Sequence, residues 1–375
     1  MNLLLFILIY TVLTISIIGY GFLFSIKFTK YNNITLNKIS IGLIGLFGIF
    51  FSISLSYFTN LFFPHNNLHN LIFIFFGILF FIIFFKKYKK NINFKYFIFS
   101  FIIFFFVIFY FKSHDDFSYY HLSLITNLTF NKVEFGLAHF DVAFNHNSSL
   151  FYFHSLFRTS LTNDYFYQIG QASIVIFVNT LLLQNILSSK PKKKLTISFF
   201  LSLLLLIFIN IFFYRLAEHG TDRSAQILFF LTFILTLKIF ENKKNINEIF
   251  ELMLVIFTLI VTIKSFYLLY SILLIYIYLK FFYKKNFINL FRKFHITFFC
   301  IATFIMMIFS NISHSGCFIY PIASTCPNIF FWTYGYEKVS GYMNWYELWS
   351  KAGATPNYIV ENIDYYLTGL NWVPN

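Results

Sequence analysis

Charge is what this 375-residue chain has least of. Only 11% of its residues are Asp, Glu, Lys or Arg, and just 14 are acidic. Soluble domains carry about 25% charged residues, so a water-soluble globule is excluded, and the mean hydropathy of +0.71 points to a chain built for lipid. Cysteine is scarce, at three residues, and no Cys/His spacing of a metal site occurs. There is no glycine-rich phosphate loop, which removes that route to nucleotide binding. No repeat of fixed period, no heptad pattern and no soluble linker is present, which excludes solenoids and coiled coils. The first apolar run, Leu3–Leu23, has neither a basic leading region nor a small-residue cleavage site. It therefore reads as a span and not as a signal peptide.

What is abundant is apolar: hydrophobic residues make up 58%, with 60 Phe. An AT-rich codon bias explains the Phe, Asn, Ile, Lys and Tyr content, so aromatic richness is no evidence of sugar stacking. A membrane span needs about 20 apolar residues. Runs of roughly that kind occur at 3–25, 40–63, 68–85, 96–111, 165–187, 195–214, 223–240, 249–263, 266–283 and 295–312. Only Lys264-Ser265 separates the pair 249–263 and 266–283. The run 148–158 is too short to span and reads as a re-entrant or interfacial helix. We expect an all-α polytopic membrane protein of about ten transmembrane helices, with outer interfacial helices and a small C-terminal extracytoplasmic cap. Residues 1–312 form the membrane domain, including an outer loop at 112–164, and residues 313–375 form the cap. Cys317 and Cys326 lie in the cap, where an oxidising compartment permits a disulfide; a bridge and two free thiols both fit the sequence. Cys300 lies in the last run and is expected only to pack.

The net charge of +14 invites a nucleic-acid reading, which its distribution rejects. Lys and Arg gather after alternate runs: at Lys27, Lys30 and Lys38, at Lys86–Lys90 and Lys95, at Lys190–Lys194, at Lys243 and Lys244, and at Lys284–Lys293. The positive-inside rule places these loops in the cytoplasm. Most acidic residues, and every His except His295, then fall on the opposite side. The expected site is the inner (cytoplasmic) membrane, multi-pass, with the chemistry facing the periplasm or exterior.

One polar island dominates that outer side, His114-Asp115-Asp116-Phe117-Ser118-Tyr119-Tyr120-His121, directly after the run 96–111. Ionisable residues at membrane level are functional candidates by default. Neighbours on a helix point in different directions, so Asp115 and Asp116 are not a proton-sharing dyad. One is free to meet a substrate hydroxyl as general base, while an Asp here also suits a plain helix cap. Phe117, His121, Leu124 and Leu128 follow a helical stripe, which predicts an amphipathic helix lying flat on the outer interface. Gly136-Leu137-Ala138-His139 and Asn145-His146-Asn147-Ser148-Ser149 read as turns, with Ser148 a cap for the helix after it. Glu218-His219-Gly220-Thr221-Asp222-Arg223 forms a second polar knot. It is either a solvated turn or a set in which His219, Asp222 and Arg223 face the first loop. Lys264 sits on the outer side against the positive-inside bias; it either snorkels or offers a point charge to a phosphate.

The order of these parts resembles the GT-C superfamily of polytopic glycosyltransferases, in which an acidic pair follows a span in an outer loop. Tyr120-His121-Leu122, Gly136-Leu137-Ala138-His139, Phe144–Phe151, Thr221-Asp222 and Ile263-Lys264-Ser265 are similar to the outer-loop pattern of a poorly characterised bacterial branch. Gly316, Tyr320-Pro321 and Trp372-Val373-Pro374 are similar to its later outer segment. The resemblance covers roughly residues 112–375. In the commonest GT-C layout the acidic loop follows the first span, whereas here it follows the fourth, and further spans are expected after Asn375, as in a C-terminally truncated member.

The resemblance implies transfer of a sugar from a lipid-linked phosphate donor to an extracytoplasmic glycan, lipid or protein acceptor. Asp115 and Asp116 are then the catalytic candidates. His114, His121, His139, Asn147, His219, Asp222, Arg223 and Lys264 are the substrate-binding candidates. No cofactor is demanded; a divalent metal suits two Asp with nearby His, but no ligand spacing requires one. Partners are the donor lipid, the bilayer and the acceptor, with no nucleic acid. An envelope polysaccharide polymerase or ligase shares the same outer loops, although Arg-rich outer loops are then expected and only Arg158, Arg215 and Arg223 are present. A lipid-linked glycan transporter is disfavoured by the near absence of charge inside the runs.

Overall fold

The computed structural model describes residues 3–28, 40–92, 94–109, 115–162, 168–189, 196–212, 220–241, 246–282, 294–355 and 357–373. The candidates His114 and His219 lie outside the described residues.

Among the described residues the chain is all-α apart from one two-stranded hairpin. The long helices are α1 (Leu3–Phe28), α2 (Ile41–Asn60), α3 (Asn67–Tyr88), α4 (Lys95–Phe109), α7 (Ile169–Ser189), α8 (Ile197–Phe212), α9 (Thr221–Glu241), α10 (Ile246–Ile263) and α12 (Phe294–Ser315). Shorter ones are α5 (Leu122–Phe130), α6 (Ser149–Ser155) and α11 (Ile272–Phe281), with α13 (Tyr336–Ser350) and α14 (Ile363–Leu367) near the C-terminus. Helices are what a lipid solvent selects, since each satisfies its own backbone groups. Among the described residues, seven helices are long and apolar enough to cross a membrane: α1, α2, α3, α7, α9, α10 and α12. Lys95–Phe104, Ile197–Ile211 and Ser265–Phe281 are apolar but shorter. Together they support a multi-pass helical membrane protein.

The structure falls into two compact units. The first holds residues 1–133 and 148–307. Here α1 packs on α2 and α3, α2 on α7, α7 on α4, α8 and α9, and α9 on α10. Small residues let the first three helices approach closely. A Cβ added to Gly19 would strike the Gly77 carbonyl, and one on Gly48 would strike the Ile17 carbonyl. Phe24, Phe47, Phe50 and Phe51 fill the space left, ring against ring.

The second unit joins residues 134–147 to residues 308–375. The expected loop 112–164 is therefore shared between the units, its middle piece packing with the C-terminal segment. Cys317 and Cys326 are bridged. Around them Tyr320, Ala323 and Val339 make a small core, with Tyr334, Tyr342 and Tyr346 packed against it. A second cluster, Leu348, Ala354 and Tyr366, is closed by the hairpin Ala354–Thr355 and Tyr358–Ile359.

Two expectations about interfacial helices need correction. The stripe Phe117, His121, Leu124 and Leu128 is buried at every position. It packs on protein, through contacts of the Phe117–His121 turn and α5 with α6, and not on lipid. The run 148–158 gives α6, of which all seven residues are buried, so it is covered by protein, which removes the interfacial alternative and leaves the re-entrant one. Hydropathy registers an apolar face but not what covers it.

Candidate functional site

The acidic pair is helical at the start of the described stretch 115–162. Asp116 has helical φ and ψ and does not act as the side-chain cap of the turn that follows. Asp115 is exposed and Asp116 half-buried, as expected of neighbours aimed in different directions. The chain then runs through a π-helical turn, Phe117–His121, a rare conformation that recurs at functional sites. His121 is buried, its ring 4.8 Å from Phe151 and 4.4 Å from Tyr120.

Asp222 of the second polar knot and Lys264 do meet. Lys264 Nζ lies 2.6 Å from Asp222 Oδ1. Local structure explains how. Helix α10 ends at Ile263, and Lys264 leaves it in an extended conformation, with φ −143° and ψ 107°. The chain then enters a 3₁₀ segment, Ser265–Ser271, that continues into α11. Asp222 sits in the first turn of α9, where a negative charge also complements the helix dipole. The Lys264 side chain is 26% exposed and that of Asp222 73% exposed. Exposed pairs of this kind add only about 0.2–1 kcal/mol to stability. The bond therefore keeps the ammonium in place without holding it strongly. Arg223, next along α9, is exposed.

Ser148 reaches the same place. Ser148 caps α6, accepting from Leu150 N at 3.4 Å, while its hydroxyl donates to the Ile263 carbonyl at 2.9 Å. That carbonyl belongs to the residue before Lys264. Ser149 and Ser224 are fully buried, and their hydroxyls have no hydrogen-bond partner among the described residues. Gln168, 1% exposed, likewise has both ends of its amide unpaired among them. Buried polar groups left this way call for a reason, and Ser149 and Ser224 stand one and two residues from Ser148 and Asp222.

His139 and Asn147 belong to the second unit. His139 Nε2 is 3.0 Å from the Trp332 carbonyl, and its ring is exposed. Asn147 Nδ2 donates to Ser310 Oγ at 2.6 Å. Gly136, at φ +78°, makes the turn that precedes His139. No group of three or more His, Cys, Asp or Glu is placed to hold a metal among the described residues.

The sequence did not point to a buried knot around His65. Its Nδ1 lies 2.6 Å from Ser155 Oγ, and its Nε2 is 3.2 Å from the Ser56 carbonyl. Asn70 Nδ2 donates to the carbonyls of His65, Ser155 and Arg158. Burial, helped by neighbouring His69, pushes the His65 imidazole down to about 3. His154 is also buried, accepts from Gly170 N at 3.2 Å, and is pushed by burial to about 3. Both stay neutral at physiological pH and hold helices together. The available signal was a His in a tight turn between two apolar runs, and another inside one.

Comparison with known proteins adds one result. No curated protein and no solved structure matches the chain. A family model described as a domain of unknown function (DUF8201) matches residues 1–372, nearly the whole sequence, and the chain belongs to that family.

Proposed function

We propose that the protein is a GT-C-type membrane glycosyltransferase that moves a sugar from a lipid-linked phosphate donor to an extracytoplasmic glycan, lipid or protein acceptor. In this reading all ten apolar helices span the inner membrane, and the acidic pair, Asp222 and Lys264 lie on its outer side. The observation that carries the reading is the ion pair of Lys264 with Asp222, joined through the Ser148 hydroxyl and the Ile263 carbonyl to the start of α6. Three segments far apart in sequence, each singled out for polarity on the outer side of an apolar chain, supply a cation and hydroxyls in one place. The Cys317–Cys326 bridge supports an outer location for the second unit, because disulfides persist in oxidising compartments.

Chemically, one of Asp115 and Asp116 takes the proton of the acceptor hydroxyl as it attacks the sugar's anomeric carbon. General-base assistance of this kind contributes about 10²–10⁴-fold. The bond from that carbon to the phosphate oxygen breaks, and the phosphate leaves on its lipid. Lys264 exchanges Asp222 for the phosphate and offsets its charge, the kind of electrostatic help that is usually the largest contribution. Arg223 adds a second positive charge, and His114, His121 and His219 serve the acceptor or the phosphate. The test is replacement of Asp116, then Asp115, by Asn, with glycan assayed in membranes carrying each variant. Loss of transfer with unchanged protein level is expected; full transfer in both variants rules the assignment out.

A further inference from the structure

We propose that the second unit carries its own lipid anchor, an aromatic ridge of Phe135, Ile329, Phe331 and Trp332 that inserts among the acyl chains of the bilayer. Phe331 is 96% exposed, Ile329 73% and Phe135 50%. A monomeric soluble protein rarely leaves such side chains together in water. Three of them form one surface, with the Phe135 ring 4.7 Å and the Phe331 ring 5.0 Å from Trp332, and Ile329 lies three residues before Trp332 in the same segment. The stretch from Asn328 to Gly335 contains no charged residue.

What covers this ridge follows from where it is tied. Gly136 N donates to the Ser313 carbonyl at 2.7 Å, Trp332 Nε1 to the Ile312 carbonyl at 2.9 Å, and Tyr334 N to the Ser315 carbonyl at 2.8 Å. These are carbonyls of the last turn of α12, where end carbonyls look for partners beyond the helix; that of Ile312 also accepts from Gly316 N at 2.8 Å. The ridge is thus fastened to the end of a candidate membrane span, Ile296–Ser315. Its apolar surface is continuous with that span, since Phe135 lies 6.4 Å from the ring of Phe309 on α12. Phe309 is exposed, and so are Ile305 and Ile301, each four residues further back on the same helix face. A face that meets acyl chains along the helix continues to meet them at its end. Trp332 has its indole N–H satisfied by protein, so its ring enters the apolar side of the interface without an unpaired donor. Its place at the end of a span is that of the aromatic belts of membrane proteins.

The experiment uses the full chain in lipid nanodiscs with a tryptophan reporter at the crest, Phe331→Trp. Because that position is almost wholly exposed, the change does not disturb the core. Formation of the Cys317–Cys326 bridge confirms that the unit has folded. The emission added by the new indole is expected to be blue-shifted and mostly lost in phosphatidylcholine brominated on its acyl chains. It should be little affected by aqueous iodide. The same measurement on Ile329→Trp should give the same result. Red-shifted emission quenched by iodide overturns the proposal. So does blue-shifted emission that brominated lipid leaves intact in particles containing two copies of the chain, since a second copy then covers the ridge. All of these readouts are independent of transferase activity.

Discussion

Lys264 leaves the end of α10 and meets Asp222 in the first turn of α9, Nζ to Oδ1 at 2.6 Å. Because the carboxylate is largely exposed, the pair is a poor stabiliser, and in the proposed function it suits a cation that is released to the phosphate. Lys264→Met should therefore cost no more than about 1 kcal/mol of stability while lowering sugar transfer at least tenfold. Asp222→Asn should leave transfer closer to wild type, because the ammonium remains. Thermal melts in detergent and transfer rates from the same preparations check both. Equal loss in the two variants would mean that the pair acts as a unit and not as a releasable cation.

Ser148 works twice, as cap of α6 and as donor to the Ile263 carbonyl. Ser148→Ala removes both, with an expected loss of about 1–3 kcal/mol. Ser148→Asp restores a cap but places a carboxylate beside a carbonyl, so it should recover little. Denaturant or thermal unfolding of the three proteins provides the comparison.

The buried histidines make stability depend on pH. His65 and His154 have folded values near 3, below the ordinary value of about 6.5. The folded state therefore binds fewer protons than the unfolded state between these limits. Stability is full above about pH 6.5 and falls as pH drops toward about 3, by up to about 1.4 kcal/mol per pH unit for each group. A melting temperature flat from pH 8 to 6.5 and falling below it is expected. The slope should be shallower in His154→Gln, and an unchanged slope would remove His154 from the account.

Reducing the Cys317–Cys326 bridge frees a short loop in the second unit. Bridges over short loops contribute about 2–4 kcal/mol. Cys317→Ser with Cys326→Ser, or treatment with reductant, should expose residues near 313–375 to protease while the helices of the first unit stay protected. Limited proteolysis with mass spectrometry reads this directly.

The helices were legible because a lipid solvent demands long apolar runs: among the described residues seven of the ten runs give helices long and apolar enough to cross a membrane, two give shorter ones, and the run 266–283 is a 3₁₀ segment followed by α11. Even the brief interruption at Lys264-Ser265 is real, since the backbone turns there. The polar candidates Asp222 and Lys264 were also legible, as charges at the ends of apolar runs. Their pairing was not, because it depends on how α9 and α10 pack. The inward face of Phe117, His121, Leu124 and Leu128 was misread as facing lipid, since protein and acyl chains give an apolar stripe the same reason to exist. The knot of His65, Asn70 and Ser155 escaped notice because its bonds go largely to backbone carbonyls. So did the joining of residues 134–147 to the C-terminal segment, which leaves no mark in local pattern.

The most direct test is donor cleavage by the purified chain in proteoliposomes, using a radiolabelled polyprenyl-phosphate sugar and an envelope acceptor. The wild type should release polyprenyl phosphate and label the acceptor, and the Asp115→Asn, Asp116→Asn double variant should do neither while melting at the same temperature. Equal label transfer by the double variant, with melting unchanged, would contradict a catalytic acidic pair.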